Sequence, residues 1–409
     1  MLRTSIGYHT FTIFKLLTAE EAYQLIKAFK KYRETTGNII IYNPYKSSKL
    51  DNTDEPTDLT EIDKSDEINK LFKAKKPDKC FRVEYLPEFK TRGINKWQIR
   101  IFNGYKNFKS YIVEATINPK LLAGIHDYIT AANENHLESM VENFNIEANK
   151  ISRILGQFSS FKPNRVDFCV NVDLKELGIY CTPEQMIQLI KRSNIPTYFT
   201  ERKVYDAVAY RMKTDENSFY LVSKSVIINC YWKYAQLLKE YPDSPGLEES
   251  YNIIRFEVQC KYNKVYNMLR AIVENAPYSN KVLYELLSAD FSQKVISNYF
   301  SRVILGGDYY TLQYATQLIQ SYGFKGQKER RLINTLNLIN QCRGISKALD
   351  TLTDEESKGF IYVLNELEQI KINPVTMPKE FGIKHIPNLL DAFYRLNGSE
   401  EFHSQLAYL

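Results

Sequence analysis

Three short segments alternate strictly between apolar and polar side chains, and each leaves its charged residues on one side. Successive side chains on a β-strand point to opposite faces. Val166, Phe168 and Val170 therefore point one way, while Arg165, Asp167 and Asn171 point the other. Ile254, Phe256 and Val258 oppose Arg255, Glu257 and Gln259 in the same manner. Around residue 231, one face carries Ile227, Asn229, Tyr231 and Lys233, and the other carries Ile228, Cys230 and Trp232. Such a chain has to bury one face of a sheet and present the other, and the presented face gathers acids, bases and a tyrosine.

The same alternation, interrupted by helical stretches, runs through the first two thirds of the sequence. A strand over residues 5–13 is followed by a helix that Thr18 caps, with Glu21 as its capping-box partner and Ala22, Leu25, Ile26 and Phe29 as its apolar face. Strands are predicted at 38–42, 79–85, 96–102 and 109–117, the last broken by Asn118-Pro119. Residues 47–66 are rich in Asp, Glu, Thr and Pro and read as an acidic surface loop. A helix carries Leu137, Met140, Val141 and Phe144, and another opens at Thr182-Pro183-Glu184, with proline in the first helical position. Strands at 165–172, 208–212, 218–222, 226–232 and 253–262 complete a sheet of five or more strands. Beyond Lys264 the period changes to 3.6, with helical patterns at 265–274, 281–288, 291–301, 310–322, 327–341 and 355–369. The chain is long enough for two domains. The pattern predicts an α+β domain over 1–263 and an all-helical domain over 264–409.

Composition narrows the class of partner. A formal charge of +6 over 409 residues permits a polyanionic partner without requiring one. Local excess is more informative: Lys27, Lys30, Lys31 and Arg33 share one helical stretch, and Lys325, Lys328, Arg330 and Arg331 share another. The cysteines form no C-x-x-C pair and several occupy apolar strand positions, which suits a reducing cytoplasm better than a disulfide framework. No run of apolar residues is long enough to span a membrane. Met1-Leu2-Arg3-Thr4 leads into short mixed segments, so no signal peptide is expected.

Chemistry enters with a fourth strand. Residues 109–117 place Glu114 and Thr116 off one side, and if the four strands are neighbours, Glu114, Asp167 and Glu257 can meet around one divalent cation. Hard Mg²⁺ or Mn²⁺ prefers carboxylate oxygens, with water and substrate phosphate completing the shell. Tyr231 would be the nucleophile. Its phenol is neutral near pH 7, so it needs a base or a nearby positive charge, and Lys233 on the same face is the candidate.

Asn164-Arg165-Val166-Asp167-Phe168, Cys230-Tyr231-Trp232-Lys233-Tyr234-Ala235-Gln236-Leu237 and Ile254-Arg255-Phe256-Glu257-Val258 follow the order and approximate spacing of a known family. Over roughly residues 80–380, including Gly104-Tyr105-Lys106-Asn107-Phe108 upstream and Ile372-Asn373-Pro374 downstream, the chain resembles the rolling-circle replication initiators of filamentous phages, the gene II/X type. The resemblance implies a central, mainly antiparallel sheet flanked by helices. It also implies an enzyme that nicks and joins origin DNA, single-stranded at the nick, through a covalent phosphotyrosine. Matched motif by motif, Tyr231 takes the nucleophile position and Glu114, Asp167 and Glu257 the acidic ones. Host helicase and polymerase are the partners implied, in a bacterial cytoplasm. The His-hydrophobic-His pair of the wider nickase group is absent, since His9, His126, His136, His385 and His403 are never two apart.

Arg165 and Arg255 on the strands are candidate DNA contacts. In the helical part, residues 327–341, 344–349 and 355–369 have the rhythm of a helix-turn-helix, with Lys328, Arg330, Arg331, Arg343 and Lys347 available to phosphates. Two other readings share these features: a relaxase of a mobile element, and a replication protein that binds DNA without cutting it.

Overall fold

The strands join in one ten-stranded sheet of order β2-β3-β4-β5-β1-β6-β12-β11-β10-β7, in which every neighbouring pair is antiparallel. The computed structural model describes residues 4–42, 80–103, 109–127, 129–206, 211–273 and 280–391. The acidic stretch 47–66 and residues 104–108 lie outside these. The left half of the sheet consists of β2 (Ile39–Tyr42), β3 (Phe81–Tyr85), β4 (Ile94–Asn103) and β5 (Lys109–Ile117). The right half holds β6 (Lys162–Asp173), β7 (Thr200–Glu201), β10 (Ser218–Val222), β11 (Val226–Trp232) and β12 (Ile253–Cys260). The long first strand, β1 (Ser5–Leu17), joins the two halves. Of the strand predicted at 208–212, residues 208–210 lie outside the described residues; β8 (Val204–Asp206) and β9 (Arg211–Lys213) pair antiparallel in a separate small sheet.

Helices cover the apolar face. Thr18 and Glu21 form the predicted capping box on α1 (Ala19–Thr36), which buries Ala22, Leu25, Ile26 and Phe29. Phe29 and Phe144, the latter on α3 (Leu137–Ile151), meet Trp97 of β4 with ring centroids 6.1 and 5.7 Å away. Between them in sequence lies the single turn α2 (Pro119–Leu122), started by Asn118, and α4 (Pro183–Ile190) follows β6 with Thr182 as its cap. On the right half, α6 (Tyr262–Val273), α7 (Asn280–Leu286) and α8 (Ala289–Ile304) follow β12. Phe291 and Phe300 of α8 reach Phe168 and Phe256 at 5.8 and 4.7 Å, so helices beyond residue 263 share the core of the sheet. Phe168, Phe256 and Phe300 are fully buried, and each such side chain contributes about 1.5–3 kcal/mol relative to exposure. A second apolar cluster joins α9 (Leu312–Ser321), α10 (Gln327–Cys342) and α12 (Asp354–Gln369) through Ile319, Leu332, Leu336, Val363 and Leu367, with the five-residue α11 (Ile345–Leu349) between the last two. Among the described residues, no helix is long and apolar enough to cross a membrane.

The face opposite the helices carries the predicted polar residues, and one end of it is roofed by residues 129–133. Tyr8 N donates to Ala132 O at 2.8 Å, and the carbonyl of Ile129 accepts from both Asn171 and Arg255. Gly7 makes this approach possible, because a Cβ there would lie 1.7 Å from the carbonyl oxygen of Ala132. Gly7→Ala is therefore expected to lower stability by roughly 1–3 kcal/mol, read from the urea midpoint at unchanged m-value. An unaltered midpoint would show that the roof yields without cost.

Candidate active site

Register brings the key side chains together. Tyr231 lies opposite Arg255, Asn229 opposite Glu257, and Glu257 opposite Cys169, all on the polar face of β11, β12 and β6. The Tyr231 hydroxyl donates to Glu257 Oε1 at 2.8 Å, and Arg255 Nη1 approaches the same oxygen at 3.6 Å. Arg255 is held from behind: its Nε donates to Asn171 Oδ1 at 2.6 Å and its Nη2 to the Ile129 carbonyl at 3.2 Å. Only 8% of Tyr231 and 1% of Arg255 is exposed. Burial, and then the neighbouring Glu257, push the Tyr231 phenol well above its ordinary value. The hydroxyl is therefore protonated at neutral pH and has a carboxylate aligned to take its proton.

Asp167 stands opposite Gln259, a diagonal neighbour of Glu257 about 7 Å away by strand geometry. Arg165 holds it in a two-pronged contact, with Nε donating to Oδ1 at 2.8 Å and Nη2 to Oδ2. Burial raises the Asp167 carboxyl to about 6 in spite of Arg165, with Glu257 adding to the rise.

Glu114 is elsewhere, which corrects the expectation of three converging carboxylates. β1 lies between β5 and β6, where Glu114 faces Phe14 and Asp167 faces Thr10. Four β1 residues and two strand spacings put them on the order of 15 Å apart. Glu114 instead accepts from Arg100 Nη2 at 3.1 Å and from Asn164. Among the described residues no three His, Cys, Asp or Glu side chains converge to hold a metal ion. With Arg165 clamped on Asp167 and Tyr231 on Glu257, the groups present do not fit a resident Mg²⁺ or Mn²⁺.

Lys233 also departs from expectation. It opens α5 (Lys233–Glu240) rather than continuing β11, and its Nζ donates to Gln236 Oε1 at 2.6 Å. It is 3% exposed and faces a cavity of about 180 Å³ walled by His9, Thr10, Lys120, Asp127 and Arg255 among others. Burial, and then Arg255, hold the ammonium of Lys233 well below its usual range. Lys120 is lowered to about 8 by burial, opposed by Asp127, to which it donates at 3.1 Å. His9 is kept neutral by burial and by Arg255, Lys233, Lys120 and Arg165. Tyr234 packs between Trp232 and Tyr251, with ring centroids 5.3 Å from each.

Among the other residues expected to contact DNA, Arg165 stays half-buried on the open face, but Arg255 is buried and reaches no outer surface. Lys328 and Arg331 are tied to Glu366 of α12 at 3.3 and 2.9 Å, and they lie over the rings of Phe324 and Tyr362. Arg330, Arg343 and Lys347 are exposed.

His9, Lys120 and Asp127 are members of this site that reading the motifs alone passes over, although one of them leaves a trace in the sequence. Tyr8 and Phe11 are both in the core, three residues apart, and this change of parity marks a bulge that turns His9 toward the polar face; the register shifts there.

No protein-family model matches the chain, and no curated protein does. Among solved structures, the "Rolling Circle Replication Initiator Protein from Geobacillus stearothermophilus" is similar over 73% of this chain and 85% of that one, with 8% identity and a TM-score of 0.30. A likeness that loose carries no inference about the site.

An unfolded aspartate ionises near 3.8, whereas Asp167 in the fold keeps its proton until about 6. The folded chain binds more protons between those values, so this group's contribution to stability falls as the pH rises from about 4 to about 6. The Asp167 side-chain carboxyl carbon, followed by NMR, is expected to titrate with a midpoint near 6. A midpoint at or below the ordinary aspartate value would show that Arg165 outweighs burial.

Proposed function

We propose that the chain nicks and joins single-stranded DNA at a replication origin by attack of Tyr231 on a backbone phosphate. The observation that carries this reading is the hydrogen bond from the Tyr231 hydroxyl to Glu257, with the buried Arg255 guanidinium beside both. Two of the three strand motifs that resemble the rolling-circle initiators, 230–237 and 254–258, contribute these residues.

Glu257 takes the phenol proton as the Tyr231 oxygen attacks phosphorus, and Arg255 offsets the negative charge that develops. The bond from phosphorus to the 3′-oxygen breaks as the tyrosyl bond forms, and the proton held by Glu257 passes to the departing oxygen. The products are a 5′-phosphotyrosyl link and a free 3′-hydroxyl able to prime synthesis. One phosphodiester replaces another, so the reverse reaction rejoins the strand without further energy input. Asp167 and Arg165 flank the centre as a charged pair on the open face, where Arg165 can meet a neighbouring phosphate. A relaxase would use the same groups in the same order, so this chemistry is common to both settings.

The test is covalent capture. The full chain, incubated with single-stranded oligonucleotides from its own replicon, with or without added Mg²⁺ or Mn²⁺, is expected to give an adduct stable to denaturing electrophoresis. Tyr231→Phe should abolish it, and Glu257→Gln should slow it by about 10²-fold or more, the usual contribution of a general base. Adduct at wild-type yield from Tyr231→Phe would dismiss Tyr231 as the nucleophile, and no adduct from the wild type would leave a protein that binds DNA without cutting it.

A further inference from the structure

The cavity beside Tyr231 has a composition that the strand-transfer chemistry does not use. Lys120, Lys233 and Arg255 line it, all less than a tenth exposed, while the lining carboxylates are Asp127 and Glu240. Asp127 is already engaged: Lys120 and the backbone N–H groups of Ile129 and Thr130 donate to one oxygen, and the Thr130 hydroxyl donates to the other. Glu240 sits at the exposed rim and accepts from Gln236. Lys233 is left with a neutral amide oxygen as acceptor. Arg255 Nη1 is buried with no hydrogen-bond partner among the described residues. Buried cations are ordinarily paired and hydrogen-bonded, because desolvation costs several kcal/mol per ion. Lys120 is matched by Asp127 and Arg255 by Glu257, but Lys233 meets only a neutral amide oxygen, and Arg255 Nη1, 3.6 Å from Glu257, makes no hydrogen bond.

From three buried basic side chains around one cavity, of which Lys233 meets only a neutral acceptor, we infer that the cavity is a phosphate-binding pocket, filled by a backbone phosphate of the nucleic-acid strand that passes Tyr231. Size supports a group of that kind. About 180 Å³ is roughly six times a water molecule's ~30 Å³ share of the liquid, yet below the ~300 Å³ at which pockets for drug-sized ligands begin. A tetrahedral dianion or diester monoanion with a little ordered water fits, whereas a whole nucleotide does not. The donor set suits it as well, with two ammonium groups as point charges and one guanidinium edge. The neutral His9 and the Thr10 hydroxyl line the same space and add no negative charge. Arg255 links the two functions, since it borders the cavity and stands 3.6 Å from the carboxylate that receives the Tyr231 hydroxyl. An anion seated there would hold the strand one phosphate away from the group under attack.

The inference rests on the nicking reading only for the carrier of the phosphate, so the two can fail separately. Inorganic phosphate is the probe, titrated into the full chain by calorimetry and by ³¹P NMR line broadening. Saturable binding is expected for the wild type and for Tyr231→Phe. Lys120→Gln and Lys233→Gln should each weaken it by about tenfold or more, the worth of one charged hydrogen bond, with melting temperatures recorded so that a variant that fails to fold is set aside. Short oligothymidylate lacking terminal phosphates should displace the bound inorganic phosphate. If the oligonucleotide binds and phosphate stays, the pocket takes a free anion, and the backbone-phosphate assignment is wrong. No saturable phosphate binding by the wild type, or equal binding by both folded lysine variants, would overturn the pocket itself, whatever the adduct assay shows. Conversely, intact phosphate binding with no covalent adduct would overturn the nicking reading alone.

Discussion

The polar face is organised around one buried guanidinium. Arg255 reaches from β12 to the side chain of Asn171 on β6 and to the carbonyl of Ile129 in the roofing segment, and it stands against Glu257. A charge so placed costs several kcal/mol of desolvation, and it persists because oxygens from three parts of the chain meet it. Removing any one of them leaves a charge without compensation, a loss typically larger than the net worth of the pair. The arrangement therefore resists local change, and it holds the Glu257 carboxylate where the Tyr231 hydroxyl can find it. Gly7 belongs to the same device, since only a residue without a side chain lets the roof descend onto β1.

The two halves of the sheet divide the work. The left half builds core: Trp97, Phe29 and Phe144 lock helices onto β4. The right half places chemistry on the opposite side of equally buried strands, where Phe256 and Val258 anchor the backbone that carries Arg255 and Glu257. Rigid strands fix side chains more closely than loops do, and a site for strand transfer gains from that stiffness. The basic side chains of α10 are bound differently. Lys328 and Arg331 share Glu366, which makes them struts between two helices as well as positive surface.

Periodicity showed which residues share a face, and it did so well. Arg165, Asp167, Tyr231, Arg255 and Glu257 all lie on the side that alternation assigns, and the Thr18 and Thr182 caps stand where their spacing places them. What alternation does not encode is which strands are neighbours. The first strand of the chain occupies the middle of the sheet, and that single fact separates Glu114 from the acids it was expected to join. Depth was equally hidden. Arg255 reads like any arginine on a half-exposed strand, and only the docking of residues 129–133 turns it into a buried charge. Lys233 escapes for a related reason, because the strand ends at Trp232 and the next residue follows a helical path into the cavity. The parity change between Tyr8 and Phe11 was there to be read, but a bulge shows itself only once both positions are known to be core.

The chemistry of the site turns on which atom of the protein forms a bond to DNA. Proteolysis of a purified protein–oligonucleotide adduct, with mass spectrometry of the peptide that retains the nucleotide, reads that atom's residue directly. One modified peptide is expected, with the phosphodiester on Tyr231. Attachment at Tyr234, or at any residue outside the hydrogen-bonded pair of Tyr231 and Glu257, would contradict it.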